Sequence, residues 1–192
     1  MSGCQFFKVY DEQQLEFIVL AKGTDEEEAL LVGKIATFQI QELMVAYRER
    51  FDKDNFIKNL LLDNLLLVDI YNRSKKLHVD INARRVVMIV ETGEHKDGDS
   101  IDRVRSLFSG KDFVTAVDEH NIIVVKELTE QETYDDIRKT AAVIIDALKD
   151  RDDAIRVSYG TIVGEIKEVS RSYKEAGMAL DVGKIFFADK RI

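Results

Sequence analysis

The order of apolar segments from Arg84 to Ile192 is the feature that most constrains the fold of this 192-residue chain. Apolar runs of strand length alternate with longer amphipathic stretches, in the order strand, helix, strand, strand, helix, strand, helix. A polar turn at residues 118–121 joins the two middle strands and predicts an antiparallel hairpin. This order predicts an α+β fold in which helices pack on one face of a four-stranded antiparallel sheet.

The region before this sheet is predicted to form a hairpin and two long helices. Two short apolar runs within residues 4–22 predict a β-hairpin, either the tail of a larger N-terminal domain or an edge that pairs with another chain. A capping-box sequence at residues 24–27 starts a helix that we expect to reach Arg50, and a second helix is expected from about Asp54 to Leu77. The predicted segments are a hairpin over 1–23, a helical segment over 24–79 and an α+β domain over 80–192.

The two predicted helices carry apolar residues on more sides than one neighbouring domain can cover. Excess apolar surface on a soluble protein commonly marks an interface, and symmetric dimers are the commonest assembly. We therefore predict a homodimer through these helices. Packing inside the monomer is the alternative, and periodicity alone does not separate the two. The predicted interface residues are Leu31, Ile35, Phe38 and Leu43.

Composition excludes some function classes. The chain has 36 acidic residues against 28 basic ones, which argues against direct binding to the phosphate backbone of DNA. It has no uninterrupted run of 18 apolar residues, so we expect no membrane span. The single cysteine, Cys4, and the lack of a recognisable signal peptide indicate a cytoplasmic protein.

The most specific motif of the chain lies within residues 158–183. Ser158-Tyr159-Gly160 is followed by the run from Ser172 to Ala176 and then by Leu180. This pattern resembles the last helix and its preceding strand in the GGDEF-like domain of CdaR/PucR-type transcriptional regulators, including the sugar-diacid utilisation regulators. The resemblance covers about residues 50–192. It implies a structural role for the motif residues Ser158, Gly160, Ser172, Tyr173, Glu175, Ala176 and Leu180.

The resemblance also implies a function. Such regulators continue into one more strand, expected to start at about residues 190–192, and then into a helix-turn-helix that binds DNA. The chain would relay the state of a small-acid effector, sensed mostly by another N-terminal domain, through a dimer to that DNA-binding domain. A ligand-binding module that keeps a nucleotide or small-anion site is the alternative, and an active nucleotide cyclase is a less favoured one.

Three acidic residues bear on whether the fold could still act as a cyclase. Glu91 ends the first strand of the sheet, and Asp118 and Glu119 lie in the hairpin turn, where the resemblance to cyclases places Mg²⁺-binding carboxylates. The turn lacks the glycine pair that lets a backbone approach a phosphate. Because a motif counts only with its partner groups, we predict no catalysis, no metal and no cofactor. The histidines are too far apart in sequence to predict a zinc site: His78, His95 and His120.

Overall fold

The computed structural model describes residues 3–11, 13–93, 98–149, 155–187 and 191–192. The chain forms two compact units, Met1–Asp52 and Lys53–Ile192. The elements in chain order are β1 (Gly3–Asp11), β2 (Gln14–Gly23), α1 (Glu26–Leu61), α2 (Leu67–Lys76), β3 (Arg84–Glu91), α3 (Gly98–Ser106), β4 (Phe113–Ala116), β5 (Asn121–Leu128), α4 (Tyr134–Leu148), β6 (Arg156–Tyr159) and α5 (Val169–Phe186), with a short 3₁₀ turn at Ile166–Glu168 before α5.

The first unit is a hairpin packed on a helix. Strands β1 and β2 pair antiparallel, as predicted for residues 4–22. Val9 and Ala21 are buried, whereas Phe6 and Leu20 on the opposite face are more than half exposed. Gly33 of α1 makes room for the hairpin, because a Cβ there would lie 1.9 Å from the ring of Phe7. The hairpin therefore covers one side of α1 and leaves its own outer face apolar and exposed.

Helix α1 runs without a break through residues 50–55, where the sequence predicted the end of one helix and the start of the next, so this predicted boundary was wrong; a second helix, α2, does follow. The residues between 50 and 55 include no proline or glycine, so nothing in the sequence stops the helix there. The helix ends where Asp63 adopts a left-handed φ of 62°. The N–H of Asp63 donates to Leu60 and that of Asn64 donates to Asn59, the two bonds of a Schellman motif.

The start of α1 is also capped differently from the prediction. The helix begins at Glu26, and the backbone N–H of Glu28 donates to Oδ1 of Asp25 at 2.8 Å. Glu28, not Glu27, reaches back to Thr24, whose N–H donates to Oε2 of Glu28 at 2.6 Å. Because Asp25 provides the capping oxygen, the pattern lies one residue later than the sequence indicated.

Most apolar residues of α1 are exposed within the chain. Its most apolar 18-residue stretch has a mean hydropathy of 1.3, and 11% of that stretch is buried. By length and composition alone, this helix could cross a membrane, a test that core helices of soluble proteins also pass. The four predicted interface residues, Leu31, Ile35, Phe38 and Leu43, are each more than half exposed.

The second unit contains the predicted four-stranded sheet. Its strand order is β4-β5-β3-β6, and every neighbouring pair is antiparallel. In register, Val87 of β3 lies opposite Val125 of β5, and Met88 lies opposite Tyr159 of β6. Together with the chain order, this is the βαββαβ arrangement of a ferredoxin-like sandwich. The predicted α+β fold is confirmed.

Helices cover both faces of this sheet, not one face as predicted. Every residue of β3 from Arg85 to Val90 is buried, so side chains on both sides of the strand need a covering layer. On one face, Val87 and Ile89 pack in a core with the end of α1, α2 and α5. On the other face, Met88 and Val90 pack in a core with α3 and α4. Two apolar cores therefore fix the sheet from both sides.

Candidate functional site

Glu91, a weak candidate for a metal ligand in the sequence, lies at the end of β3. It is the last residue of β3 and lies opposite Asn121, the first residue of β5, so its side chain is next to the hairpin turn. One carboxylate oxygen forms an ion pair with the ammonium of Lys184 on α5. The other lies 3.7 Å from the guanidinium of Arg156 on β6. The negative charge of Glu91 is thus balanced by two cationic side chains.

Asp118 closes the hairpin turn without glycine. Its Oδ1 accepts hydrogen bonds from the backbone N–H groups of His120 and Asn121, both at 2.8 Å. The side-chain amide of Asn121 donates to Oδ2 of Asp118 at 2.9 Å. The loop after β3 is bound to the same turn, because the N–H of Thr92 donates to the carbonyl of His120 at 2.9 Å. Asp118 therefore holds the backbone of the turn, and Glu119 lies exposed beside it.

These acids do not form a metal cluster in the described part of the chain. No group of three or more histidine, cysteine or acidic side chains is arranged to hold a metal ion there. The structure brings Glu91 and the hairpin turn to one end of the sheet. The carboxylate of Glu91 is in an ion pair with Lys184, and the carboxylate of Asp118 accepts hydrogen bonds that close the turn. Of the histidines, His95 lies outside the described residues, and His78 belongs to the loop after α2.

Tyr173 packs near this turn from α5. It is half-buried against the core that α5 shares with the sheet. Burial raises the pKa of the Tyr173 phenol, and the negative charge of Asp118 raises that pKa further. The phenol is therefore a neutral packing group at physiological pH.

The family motif binds α5 to the end of β6. The hydroxyl of Ser158 donates to the carbonyl of Ala176 at 2.8 Å. The N–H of Gly160 donates to the carbonyl of Val87 at 3.0 Å, which extends the β3–β6 pairing by one residue. A Cβ on Gly160 would lie 2.0 Å from the carbonyl oxygen of Ser172, so only glycine fits between the strand and the helix.

Ser172 and Glu175 complete this connection. The Ser172 hydroxyl accepts the N–H of Val87 at 3.0 Å and donates to the carbonyl of Thr161 at 2.8 Å. Glu175 accepts hydrogen bonds from the hydroxyl and the N–H of Thr161, which lower the pKa of its carboxyl, the hydroxyl having the larger effect. Sequence reasoning missed Thr161, although a threonine directly after the motif glycine Gly160 was a usable signal. In the described structure, Ser158, Ser172 and Glu175 therefore each bond a backbone group.

The outer edge of β6 carries one further backbone contact. The N–H of Val157 donates to the carbonyl of Arg191 at 2.7 Å. A mostly apolar cleft of about 410 Å³ lies beside it, lined by residues that include Tyr159, Val182 and Phe187. The additional strand expected at 190–192 would add on this edge. Lys190 lies outside the described residues, and the strand stays a prediction.

Comparison with known families matches this architecture. Residues 64–182 match the family model of the GGDEF-like domain. This range includes the four strands of the sheet, helices α2 to α4 and most of α5. A search of curated proteins found no significant relative of the chain. The family match covers more than half of the sequence and agrees with the βαββαβ order. The chain therefore belongs to the GGDEF-like domain family.

Proposed function

We propose that this chain is a non-catalytic, regulatory GGDEF-like module that works as a dimer in a cytoplasmic transcription regulator of the CdaR/PucR type. In this role the chain transmits whether a small-acid effector is bound to a DNA-binding domain that lies outside these residues. The observation that carries the non-catalytic part is the pairing of Glu91 with Lys184 and Arg156. The assignment to sugar-diacid or related small-acid utilisation rests on the motif resemblance at residues 158–183.

The ion pairs of Glu91 argue against metal-assisted chemistry at this end of the sheet. A cyclase needs carboxylates whose charge is available to Mg²⁺. Here two cations already balance Glu91, and a metal ion would have to displace or face them. Asp118 holds the turn backbone with its own carboxylate, and the turn offers no glycine pair for close approach of a phosphate. A fold that keeps this architecture without available ligands suits signal relay better than catalysis.

The exposed surface of α1 supports the proposed dimer. At about 100° per residue, Leu31, Ile35 and Phe38 share one side of the helix, and Val45 continues the stripe. All but Val45 are more than half exposed, and the spacing of four and three residues is that of a helix–helix seam. Leu43 lies about 140° from Phe38 around the helix, so it is outside this stripe. We define the α1 stripe as Leu31, Ile35, Phe38 and Val45.

Sedimentation analysis of the full chain tests the dimer. The wild-type chain should sediment as a dimer at micromolar concentration. Phe38→Glu should weaken the dimer at least about 30-fold, because it places a charge in the centre of an apolar contact. Val143→Glu is the matched control, since Val143 is a half-exposed apolar residue of α4, and it should leave the dimer intact. Leu43→Glu, predicted from the sequence to weaken the dimer, tests how far the interface extends around α1.

Two results would contradict the dimer. One is a wild-type monomer at every concentration down to the micromolar range. The other is a Phe38→Glu variant that associates as tightly as the wild type. Either would assign the exposed apolar residues of α1 to a different partner, while leaving the pairing of Glu91 and the non-catalytic proposal intact.

The DNA-binding part of the proposal places recognition outside this chain. The net charge of −8 disfavours contact with a phosphate backbone. In a gel-shift assay at physiological salt, the chain should not form a specific complex with duplex DNA. Tight sequence-specific binding by this chain alone would show that the DNA-reading element lies within it, against the proposal.

A further inference from the structure

The α1 stripe lies on the side of α1 that the hairpin does not cover. The hairpin contacts the side that carries Ala29 and Gly33, both of which are buried. At about 100° per residue, Phe38 of the stripe lies about 180° from Ala29 and about 140° from Gly33 around the helix. A second chain can therefore lie along the stripe without displacing the hairpin.

Two charged residues of opposite sign flank the centre of the stripe at equal distances. Lys34 lies four residues before Phe38 and Glu42 lies four residues after it, so each is about 40° from Phe38 around the helix. Both residues are exposed, and neither forms an ion pair within the described residues. Neither has a charged residue three or four positions away, so α1 itself offers them no partner. Their charges are available to a second chain.

The apolar residues of the stripe are arranged in the same symmetric way. Leu31 lies seven residues before Phe38 and Val45 lies seven residues after it, about two helical turns in each direction. Consider a second α1 that lies antiparallel, with its own Phe38 opposite the first. Each Leu31 then faces the partner's Val45, and each Lys34 faces the partner's Glu42. The stripe is thus complementary to itself, as a two-fold interface requires.

A parallel pair of helices would lose this complementarity. Each residue would face its own copy, so that Lys34 would meet the partner's Lys34 and Glu42 would meet the partner's Glu42. Like charges that face each other across an interface are unfavourable. The antiparallel pair also brings Glu27 to the partner's Glu49. In a parallel pair these two glutamates would each face their own copy as well, so they do not favour the parallel arrangement.

We propose that two copies of this chain pack their α1 stripes antiparallel, with Phe38 at the two-fold axis and Lys34 paired with the partner's Glu42. This arrangement rests on the dimer proposed above and adds the direction and register of its helices. The two ion pairs are exposed, and each adds little affinity. They act on specificity, because the same charges repel in the parallel arrangement.

Disulfide formation between single-cysteine variants of the full chain tests the direction of the helices. Leu31→Cys and Val45→Cys are made separately in a Cys4→Ser background, which removes the native cysteine. The two variants are mixed in reduced form and oxidised, and intact mass identifies the products. The mixed disulfide should be the main cross-linked product, because a disulfide forms only where the two Cα atoms come within about 7 Å. Oxidised alone, each variant should stay largely unlinked, since its two cysteines lie roughly 20 Å apart at 1.5 Å per residue.

Charge reversal tests the register. Lys34→Glu and Glu42→Lys should each weaken the dimer about tenfold in sedimentation analysis, because two contacts per dimer change from attractive to repulsive. The double variant Lys34→Glu/Glu42→Lys should restore the wild-type affinity, since the pairs form again with their charges exchanged. In a parallel dimer, each single reversal would leave like charge facing like charge and change little.

Lys8→Glu is the matched control for the change in net charge. Lys8 is an exposed lysine of β1 and forms no ion pair within the described residues. It lies in the hairpin, outside the α1 stripe, so this variant should leave the dimer unchanged.

Three outcomes would overturn the proposed arrangement. The first is a mixture that forms no mixed disulfide; cross-linking of each variant with itself would identify a parallel dimer and leave the dimer of the proposed function standing. The second is a double charge variant that associates no more tightly than the single variants, which would show a different register. The third is a wild-type monomer throughout the micromolar range, which would remove the proposed dimer together with its geometry.

Discussion

The hydroxyl of Ser172 on α5 accepts the backbone N–H of Val87 on β3 at 3.0 Å. The carbonyl of Val87 accepts the N–H of Gly160. At this residue β3 therefore bonds the backbone of Gly160 through its carbonyl and the side chain of Ser172 through its N–H. The same hydroxyl donates to the carbonyl of Thr161, where the chain has left the sheet. A serine side chain thus replaces a strand residue at the end of β6, and it sets the position of α5 on the sheet by hydrogen bonding.

Removing this hydroxyl should destabilise the domain. Ser172→Ala leaves the N–H of Val87 and the carbonyl of Thr161 without their partner in a buried place, and the free energy of unfolding should fall by about 1–3 kcal/mol. Ser170→Ala is the matched control, because Ser170 is also buried on α5 and has no side-chain hydrogen bond within the described residues. Equal losses for both variants in urea unfolding would contradict the role given to Ser172.

The glycine of the same motif should tolerate no side chain. In Gly160→Ala the new methyl would lie 2.0 Å from the carbonyl oxygen of Ser172, so α5 must shift. We expect a loss of at least about 2 kcal/mol in the free energy of unfolding. Gly164→Ala should cost far less, since a Cβ at Gly164 has no neighbour within 4 Å. Thermal unfolding of the two variants compares them directly, and a stable Gly160→Ala protein would refute the close approach.

Asp136 should make stability depend on pH in the acid range. The hydrogen bond from Lys139, followed by those from the N–H and hydroxyl of Thr133, lowers the pKa of Asp136 from 3.8 to about 2. A carboxyl whose pKa is lower in the folded state stabilises the protein above its unfolded pKa, and this contribution disappears as pH falls through the folded pKa. The stabilisation should therefore be complete above about pH 5 and should decline between about pH 4 and pH 2.

Urea unfolding over this pH range measures the effect. The difference in unfolding free energy between the wild type and Asp136→Asn should be constant near neutral pH and should shrink toward pH 2. Thr133→Ala should reproduce part of the loss, because it removes the hydroxyl that donates to Asp136. Parallel pH profiles for the wild type and Asp136→Asn would show that this carboxyl does not titrate with folding.

The ion pair between Arg85 and Glu127 should matter more than a comparable pair at the surface. Glu127→Gln removes the negative charge beside a guanidinium that is 1% exposed, and breaking such a pair should cost about 3 kcal/mol of unfolding free energy. Glu132→Gln is matched in exposure, 26% against 21% for Glu127, but its partner Lys126 is less buried than Arg85. Its loss should be about 1 kcal/mol or less. Similar losses would mean that the burial of Arg85 adds nothing.

The Glu91 end of the sheet should show no cyclase activity. Purified protein given GTP with Mg²⁺ or Mn²⁺ should form no cyclic di-GMP above a blank, while an active diguanylate cyclase does so in parallel. The reason is that Lys184 and Arg156 balance Glu91 and Asp118 closes its own turn. Lys184→Ala tests this cause: Mg²⁺ should stabilise the variant against heat more than the wild type. Product formed by the wild type would overturn the non-catalytic proposal.

The strands of the sheet and their order along the chain could be predicted from local pattern. The run from Val86 to Val90 is apolar throughout, and the polar turn at 118–121 joins two apolar runs, so both the central strand and the hairpin follow from neighbouring residues. The end of α1 was partly predictable, because aspartate and asparagine, present here as Asp63 and Asn64, tolerate a left-handed φ, and Asp63 adopts one where the helix stops. The continuity of α1 through residues 50–55 was missed, because this polar stretch was interpreted as a break between two helices. Polar residues without proline or glycine do not break a helix.

The sequence by itself determined the element types and the family, because both depend on residues close together in the chain. Only the tertiary structure decided that Glu91 is balanced by Lys184, 93 positions away, and that Ser172 bonds Val87, 85 positions away. Such contacts depend on how helices lie on the sheet, which side-chain periodicity does not specify. The covering of both sheet faces and the buried Arg85 were decided in the same way, because burial is set by which elements pack together and not by the residue alone.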